Sequence, residues 1–133
     1  MEQPSRAVVV AGGTGGIGSE VARGIVHGGG SVLLVARNEA RLAARAAELD
    51  ALAGRFGAAI PFVADAGSQT ALSAAAAEAV ARFGRLDGWV HAVGSILLKP
   101  LPATGEEDFA GQLDLNAGSA FRAPTTGELY YPF

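Results

Sequence analysis

The residues best suited to chemistry in this chain stand in one short run, Val8-Val-Val-Ala11-Gly-Gly-Thr-Gly-Gly-Ile-Gly18. Gly12, Gly13, Gly15, Gly16 and Gly18 separate an aliphatic stretch from a segment with helical spacing. A strand that enters a helix through glycines presents bare backbone N–H groups, and the helix N-terminus adds partial positive charge. That combination is an anion site. Glycine lets the chain turn sharply and lets phosphate oxygens approach the main chain, while Thr14 adds a hydroxyl. The spacing is Gly12-x-x-x-Gly16-x-Gly18 with no lysine in the loop. It therefore departs from the Gly-x-x-x-x-Gly-Lys-Ser/Thr loop of phosphate-loop nucleotidases. A merely tight turn is the competing reading, and the surrounding elements decide between the two.

Those elements alternate. Ala7 to Ala11 is a short aliphatic run of the kind covered on both faces in a parallel sheet. Ile17, Val21 and Ile25 then recur every four residues as a helical stripe, which ends at Gly28 to Gly30, where a left-handed C-cap fits. Ser31-Val-Leu-Leu-Val-Ala36 predicts a second buried strand. Asn38 can cap a second helix carrying Leu42, Leu49, Leu52 and Phe56. Ala59-Ile-Pro-Phe-Val-Ala64 predicts a third strand whose Pro61 suits an edge or a strand end. Ser68 caps an Ala-rich helix with Leu72, Ala76, Val80 and Phe83 on one side, and Asp87-Gly-Trp-Val-His91 is a short fourth strand. Beyond Gly94 a proline-containing loop leads to a helix expected from about Glu106 to Phe121, with Phe109, Leu113 and Ala117 on one face. Three acids, Glu106, Glu107 and Asp108, stand in its first turn, where the helix dipole favours them. The alternation predicts an α/β fold: a doubly wound parallel sheet in three α/β/α layers, reached by right-handed crossovers.

Composition limits the partners. At 133 residues the chain holds one domain, half of its residues are apolar, and 17% are charged. The net charge of −3 and the absence of any Lys/Arg run argue against nucleic acid or an anionic membrane surface. No cysteine is present, which excludes disulfides, cysteine-ligated zinc and thiol catalysis and fits a reducing, cytoplasmic setting. No metal site is expected. The N-terminal residues carry no signal-peptide pattern, and no apolar run is long enough to span a bilayer.

Five segments in order resemble the short-chain dehydrogenase/reductase family. Ala11-Gly-Gly-Thr-Gly-Gly-Ile-Gly18 is similar to its cofactor loop, with Ala11 where Thr is commoner. Val32 to Leu42 resembles the second strand and following helix entry, and Asp65 matches an acid that hydrogen-bonds the adenine ring. His91-Ala-Val-Gly94 stands where the family usually reads Asn-Asn-Ala-Gly, and Leu113 to Phe121 matches the helix bearing a catalytic Asn, here Asn116. The resemblance covers about residues 6 to 121. It implies a Rossmann-like dinucleotide-binding domain over 1–121 and an irregular tail over 122–133. It implies cofactor contacts at Gly12, Thr14, Gly15, Gly16, Ile17, Gly18, Arg37, Asp65, Ala92 and Gly94, and hydride exchange with a small carbonyl or alcohol. His91, with no evident carboxylate partner, reads as a strand-end histidine rather than a catalyst.

The second strand tip discriminates between nicotinamide cofactors. An acid there binds the ribose 2′-OH of NAD, and a basic group pairs with the 2′-phosphate of NADP. Here Ala36 is followed by Arg37, and no acid occurs until Glu39. A guanidinium grips phosphate through paired, charge-assisted hydrogen bonds, so NADP(H) is expected ahead of NAD. A plain surface charge is the alternative for Arg37, and a helix N-terminal charge the alternative or additional role for Asp65. A methyltransferase binding S-adenosylmethionine would use a similar loop, but it usually wants an acid where Arg37 stands.

The family's remaining catalytic groups have no counterpart. A Tyr acts as its acid/base, a Lys four residues on lowers the phenol's pKa from an ordinary value near 10, and a Ser orients the carbonyl. The only lysine is Lys99, and four residues beyond Tyr130 or Tyr131 lies past Phe133. Ser95 follows the fourth strand rather than the fifth and reads as a loop hydroxyl, and the two tyrosines read as apolar anchors. Asn116 alone carries over. The resemblance thus implies a fold truncated after the fourth strand and the following helix. A frameshift, an early stop, an artificial end or a natural short form each accounts for that, and a non-catalytic dinucleotide-binding module stands as the alternative function. A fourth strand left at the edge predicts self-association, hence a homo-oligomer.

Overall fold

The computed structural model describes residues 5–94 and 100–113. Strands β1 (Ala7–Ala11), β2 (Ser31–Ala36), β3 (Ala59–Val63) and β4 (Gly88–His91) alternate with helices α1 (Gly16–His27), α2 (Glu39–Ala53) and α3 (Gln69–Phe83). A 3-10 turn (Leu101–Ala103) and helix α4 (Glu106–Leu113) follow. Among the described residues all strand pairings are parallel, in the order β3-β2-β1-β4. The expected alternation and parallel sheet are therefore present.

The unbroken Val/Leu runs of β1 and β2 follow from burial on both faces. Val8, Val10, Val32 and Leu34 pack with Ala22 and Val26 of α1 and with Leu42, Ala46 and Leu49 of α2. The alternate residues Val9, Ala11, Leu33 and Val35 pack with Leu72, Ala75 and Ala79 of α3. Two helices thus cover one face and one helix the other. Among the described residues, the largest almost wholly buried side chains include Leu33, Leu34 and Leu42. Each contributes roughly 1.5–3 kcal/mol by leaving water. Pro61 stands opposite Leu34 on β3, an edge strand, where a missing N–H costs no ladder bond.

Side-chain caps start two helices where the sequence places them. Asn38 Oδ1 accepts the Arg41 N–H (3.0 Å), and Ser68 Oγ accepts the Ala71 N–H (3.2 Å). At the opposite end of the sheet Asp87 accepts the Ala7 N–H (2.8 Å) and a bidentate pair from Arg85. That ties the start of β1 to the start of β4. Arg85 holds the Asp87 carboxyl below its ordinary value, chiefly by hydrogen bonding.

Helix faces correct the sequence reading in three places. The inward face of α1 is Gly18, Ser19, Ala22 and Val26, one position round from the Ile17–Val21–Ile25 stripe, and Ile17 is 75% exposed. Small residues let this helix lie close on the sheet, so Ile17 and Val21 flank the contact instead of making it, while Val26 packs into it. α2 ends at Ala53 with Gly54 as its C-cap, which leaves Phe56 beyond the helix and 99% exposed. Leu52 is also exposed. α3 buries Leu72, Ala75, Ala76 and Ala79, leaving Val80 exposed, because alanines rather than branched residues form its close contact. The left-handed glycine after α1 is Gly29, within the expected Gly28 to Gly30. α4 begins at Glu106 as expected, while Ala117, Phe121 and the tail lie outside the described residues.

Candidate dinucleotide cleft

The loop from Ala11 to Gly16 leaves the carboxyl end of β1 in a tight turn. The N–H groups of Gly12 and Gly13 both donate to the Val35 carbonyl (2.9 and 3.3 Å), which anchors the loop to the end of β2. The Gly15 N–H donates back to the Gly12 carbonyl (3.1 Å), and the buried Ser19 hydroxyl donates to the Gly13 carbonyl (3.2 Å). Gly12 adopts φ +87°, and a Cβ there would lie 2.6 Å from the Ala92 carbonyl oxygen. Only glycine meets both conditions. A Cβ on Gly18 would run into the Gly12 carbonyl oxygen and lie 2.8 Å from its carbon, so Gly18 is the close contact that seats α1 against the loop.

Helix α1, unlike α2 and α3, has no side-chain cap: Gly15 occupies the cap position, and no acid stands in the first turn. Its first N–H with a protein acceptor is that of Ser19, bonded to the Gly15 carbonyl (2.9 Å). Among the described residues the N–H groups of Thr14, Gly16, Ile17 and Gly18 take no protein acceptor. A helix start of this kind offers donors and a positive dipole end to an anion. A Cβ at Gly16 would meet nothing within 4 Å, so the approach is open.

A cleft of about 300 Å³ opens beside this loop at the carboxyl ends of all four strands. Gly12 and Thr14 follow β1, Arg37, Asn38 and Arg41 follow β2, Asp65 follows β3, and Val93 and Gly94 follow β4. In open α/β sheets this is where ligands sit. The ion pairs among the described residues are Arg45–Glu48, Arg82–Glu78 and Arg85–Asp87, so neither Arg37 nor Arg41 is neutralised by a carboxylate there. The Asp65 Oδ1 accepts the Gly67 N–H (2.8 Å) and shapes the turn into α3 ahead of the Ser68 cap.

Five residues singled out in the sequence therefore line one cleft: Gly12, Thr14, Arg37, Asp65 and Gly94. Gly15, Gly16 and Ile17 are exposed at the adjoining helix start, and Gly18 is buried beneath it. Ala92 stands behind the loop, its N–H on the Ala11 carbonyl (2.8 Å). Asn116 lies outside the described residues. Sequence reasoning missed Asn38 and Arg41 as cleft residues. The signal was available, since Arg41 stands one helical turn beyond Arg37. No cluster of potential metal ligands occurs among the described residues, and none of their helices is long and apolar enough to cross a membrane.

The open α1 amides, the glycine-only approach and the free guanidinium groups suit a dinucleotide's pyrophosphate and adenosine end. Comparison with known proteins identifies the family. A family model described as short chain dehydrogenase matches residues 6–127. The chain is 34% identical over 124 residues to the (5R,7aS)-5-hydroxy-7a-methyl-1-oxo-2,3,5,6,7,7a-hexahydro-1H-indene-carboxyl-CoA reductase of Mycobacterium tuberculosis, covering 93% of this chain and 46% of that one. A short-chain type dehydrogenase/reductase from Mycobacterium ulcerans superposes with a TM-score of 0.80 at 32% identity, covering 92% and 45%. An actinorhodin polyketide ketoreductase solved with NADPH superposes with a TM-score of 0.80 at 30% identity, covering 89% and 44%. The chain thus spans less than half the length of these relatives. On the match across nearly all of its residues, the chain belongs to the short-chain dehydrogenase/reductase family of oxidoreductases.

Proposed function

We propose that this chain is the NADP(H)-binding part of an oxidoreductase that reduces a carbonyl or oxidises an alcohol. The observation that carries the reading is the pairing of an uncapped α1 start with Arg37 in one cleft. The pyrophosphate rests on the amides of Gly16, Ile17 and Gly18, with the Thr14 hydroxyl beside it. Arg37 takes the 2′-phosphate, Asp65 turns toward the adenine, and Ala92 and Gly94 border the ribose side. A nicotinamide dinucleotide supplies the hydride. The NADPH complex of a family relative with a similar fold supports the choice of cofactor.

The 133 residues contain no Tyr-x-x-x-Lys pair, and only Asn116 matches the family's catalytic set. Turnover then needs residues supplied from elsewhere, and the chain alone binds cofactor without turning over substrate. A non-catalytic dinucleotide-binding module stands as the second reading. The proposed binding domain is 1–121. Self-association of the chain is part of the proposal, and sedimentation velocity tests it.

Calorimetric titration with NADPH, NADH and S-adenosylmethionine tests the reading. Saturable binding with NADPH tighter than NADH, and no binding of S-adenosylmethionine, is the expected result. Preference for S-adenosylmethionine would overturn it. A carbonyl-reduction assay with NADPH separates the two functions: turnover by the chain alone contradicts the second reading and the account of its missing groups.

A further inference from the structure

We propose that Arg41 is a second guanidinium of the 2′-phosphate subsite, facing the same ligand group as Arg37. The inference rests on the NADP(H) reading above and adds to it a residue that governs cofactor choice. Arg37 stands just past β2, and Arg41 in the first turn of α2, and both line the cleft that holds Gly12 and Thr14. Neither is paired with a carboxylate among the described residues, whereas Arg45, one turn further along α2, is held by Glu48 at 2.8 Å. The Arg41 backbone is fixed, because its N–H donates to the Asn38 Oδ1. Glu39, the acid of that first turn, is not part of the cleft lining.

Charge matching points the same way. A phosphate monoester carries between one and two negative charges at neutral pH and three acceptor oxygens. One guanidinium neutralises one charge and occupies two oxygens. A second, entering from α2, completes the match. The dipole of α2 adds to it, since the N–H groups of Glu39 and Ala40 have no protein acceptor among the described residues. A 2′-hydroxyl offers no charge to either arginine, so Arg41 should act on selectivity and not on dinucleotide binding in general.

The test uses Arg41→Ala, Arg41→Lys and Arg37→Ala, titrated calorimetrically with NADPH and NADH, and with adenosine 2′,5′-bisphosphate and AMP as probes of the phosphate alone. For Arg41→Ala, NADPH and the bisphosphate should weaken about tenfold while NADH and AMP stay near wild type. Arg41→Lys should recover only part of the loss, because an ammonium is a point charge without the fork. Arg41→Ala that binds NADPH as wild type does, while Arg37→Ala loses the preference, overturns the role of Arg41 and leaves the NADP(H) reading standing. Equal weakening of both cofactors also overturns it, by showing that Arg41 acts through the fold. Wild-type protein that binds NADPH no tighter than NADH overturns the inference and the reading beneath it together.

Discussion

Replacing Gly18 by alanine should separate the packing role of the glycine loop from its ligand role. The new methyl would run into the Gly12 carbonyl oxygen, lie 2.8 Å from the carbonyl carbon, and press within 3.4 Å of the Gly13 Cα. These are backbone atoms, and Gly12 is held by its N–H bond to Val35. No flexible side chain can give way, so helix or loop must shift. Overpacking of this kind costs about 1–3 kcal/mol. Alanine in place of glycine in a helix returns at most about 1 kcal/mol. Because the contacts are backbone atoms, the overpacking belongs at the upper end of that range, so the net loss is about 2 kcal/mol, which for a chain of this size lowers the thermal midpoint by about 6–10 °C. Gly16→Ala is the control, since its methyl meets no protein atom within 4 Å. It should melt at or slightly above the wild-type temperature and still lose NADPH affinity, because the methyl occupies the ligand's approach. Circular dichroism melts and calorimetric titrations of both variants decide the matter. Gly18→Ala melting at or above wild type would refute the close approach of α1 to the loop. Gly16→Ala with wild-type affinity would refute seating of phosphate on that amide.

Three further outcomes follow from other parts of the molecule. Gly24→Ala, mid-helix in α1 with nothing within 4 Å of its added methyl, should stabilise the fold by about 0.4–1 kcal/mol, read as a raised urea midpoint. Arg37→Ala should reduce NADPH affinity by about tenfold or more and leave NADH nearly unchanged, measured by fluorescence titration. Asp87 is held below its ordinary value by Arg85 and the Ala7 N–H, so its stabilisation is complete above the unfolded carboxyl's titration near pH 4. It fades as the pH falls through the lower folded value, and screening at this exposed pair keeps it small. Asp87→Asn should accordingly be less stable than wild type at pH 7, with the gap closing below about pH 4 in urea titrations at each pH.

The strands and helix starts were legible because their causes are local. Val8 to Ala11 and Val32 to Val35 read as strands buried on both faces, and those residues are buried. Asn38 and Ser68 read as caps and hold the expected N–H groups. Helix faces were less legible. Ile17, Val21 and Ile25 outweigh Gly18, Ser19 and Ala22 in any hydropathy pattern, yet the smaller residues make the contact, because closeness rather than side-chain size decides which face packs. The same substitution of small for large misled the reading of α3 at Val80. At the cleft, Gly12, Thr14 and Arg37 were legible from their spacing to β1 and β2. Asn38 and Arg41 were not, because a cap and a charged helix residue look ordinary until the carboxyl ends of β1, β2 and β3 are brought together. The open amides of α1 were implied by Gly15 at the cap position, where a glycine has no side chain to offer.

Amide chemical shifts followed by NMR during addition of NADPH test the central claim most directly, since they report on each backbone N–H separately. The account predicts the largest changes at Thr14, Gly16, Ile17 and Gly18, with a second group at Arg37 to Arg41, and little change at Asp87 or Gly88 across the sheet. Saturating NADPH that leaves the 14–18 amides unmoved, or moves residues at the Asp87 end instead, would contradict it.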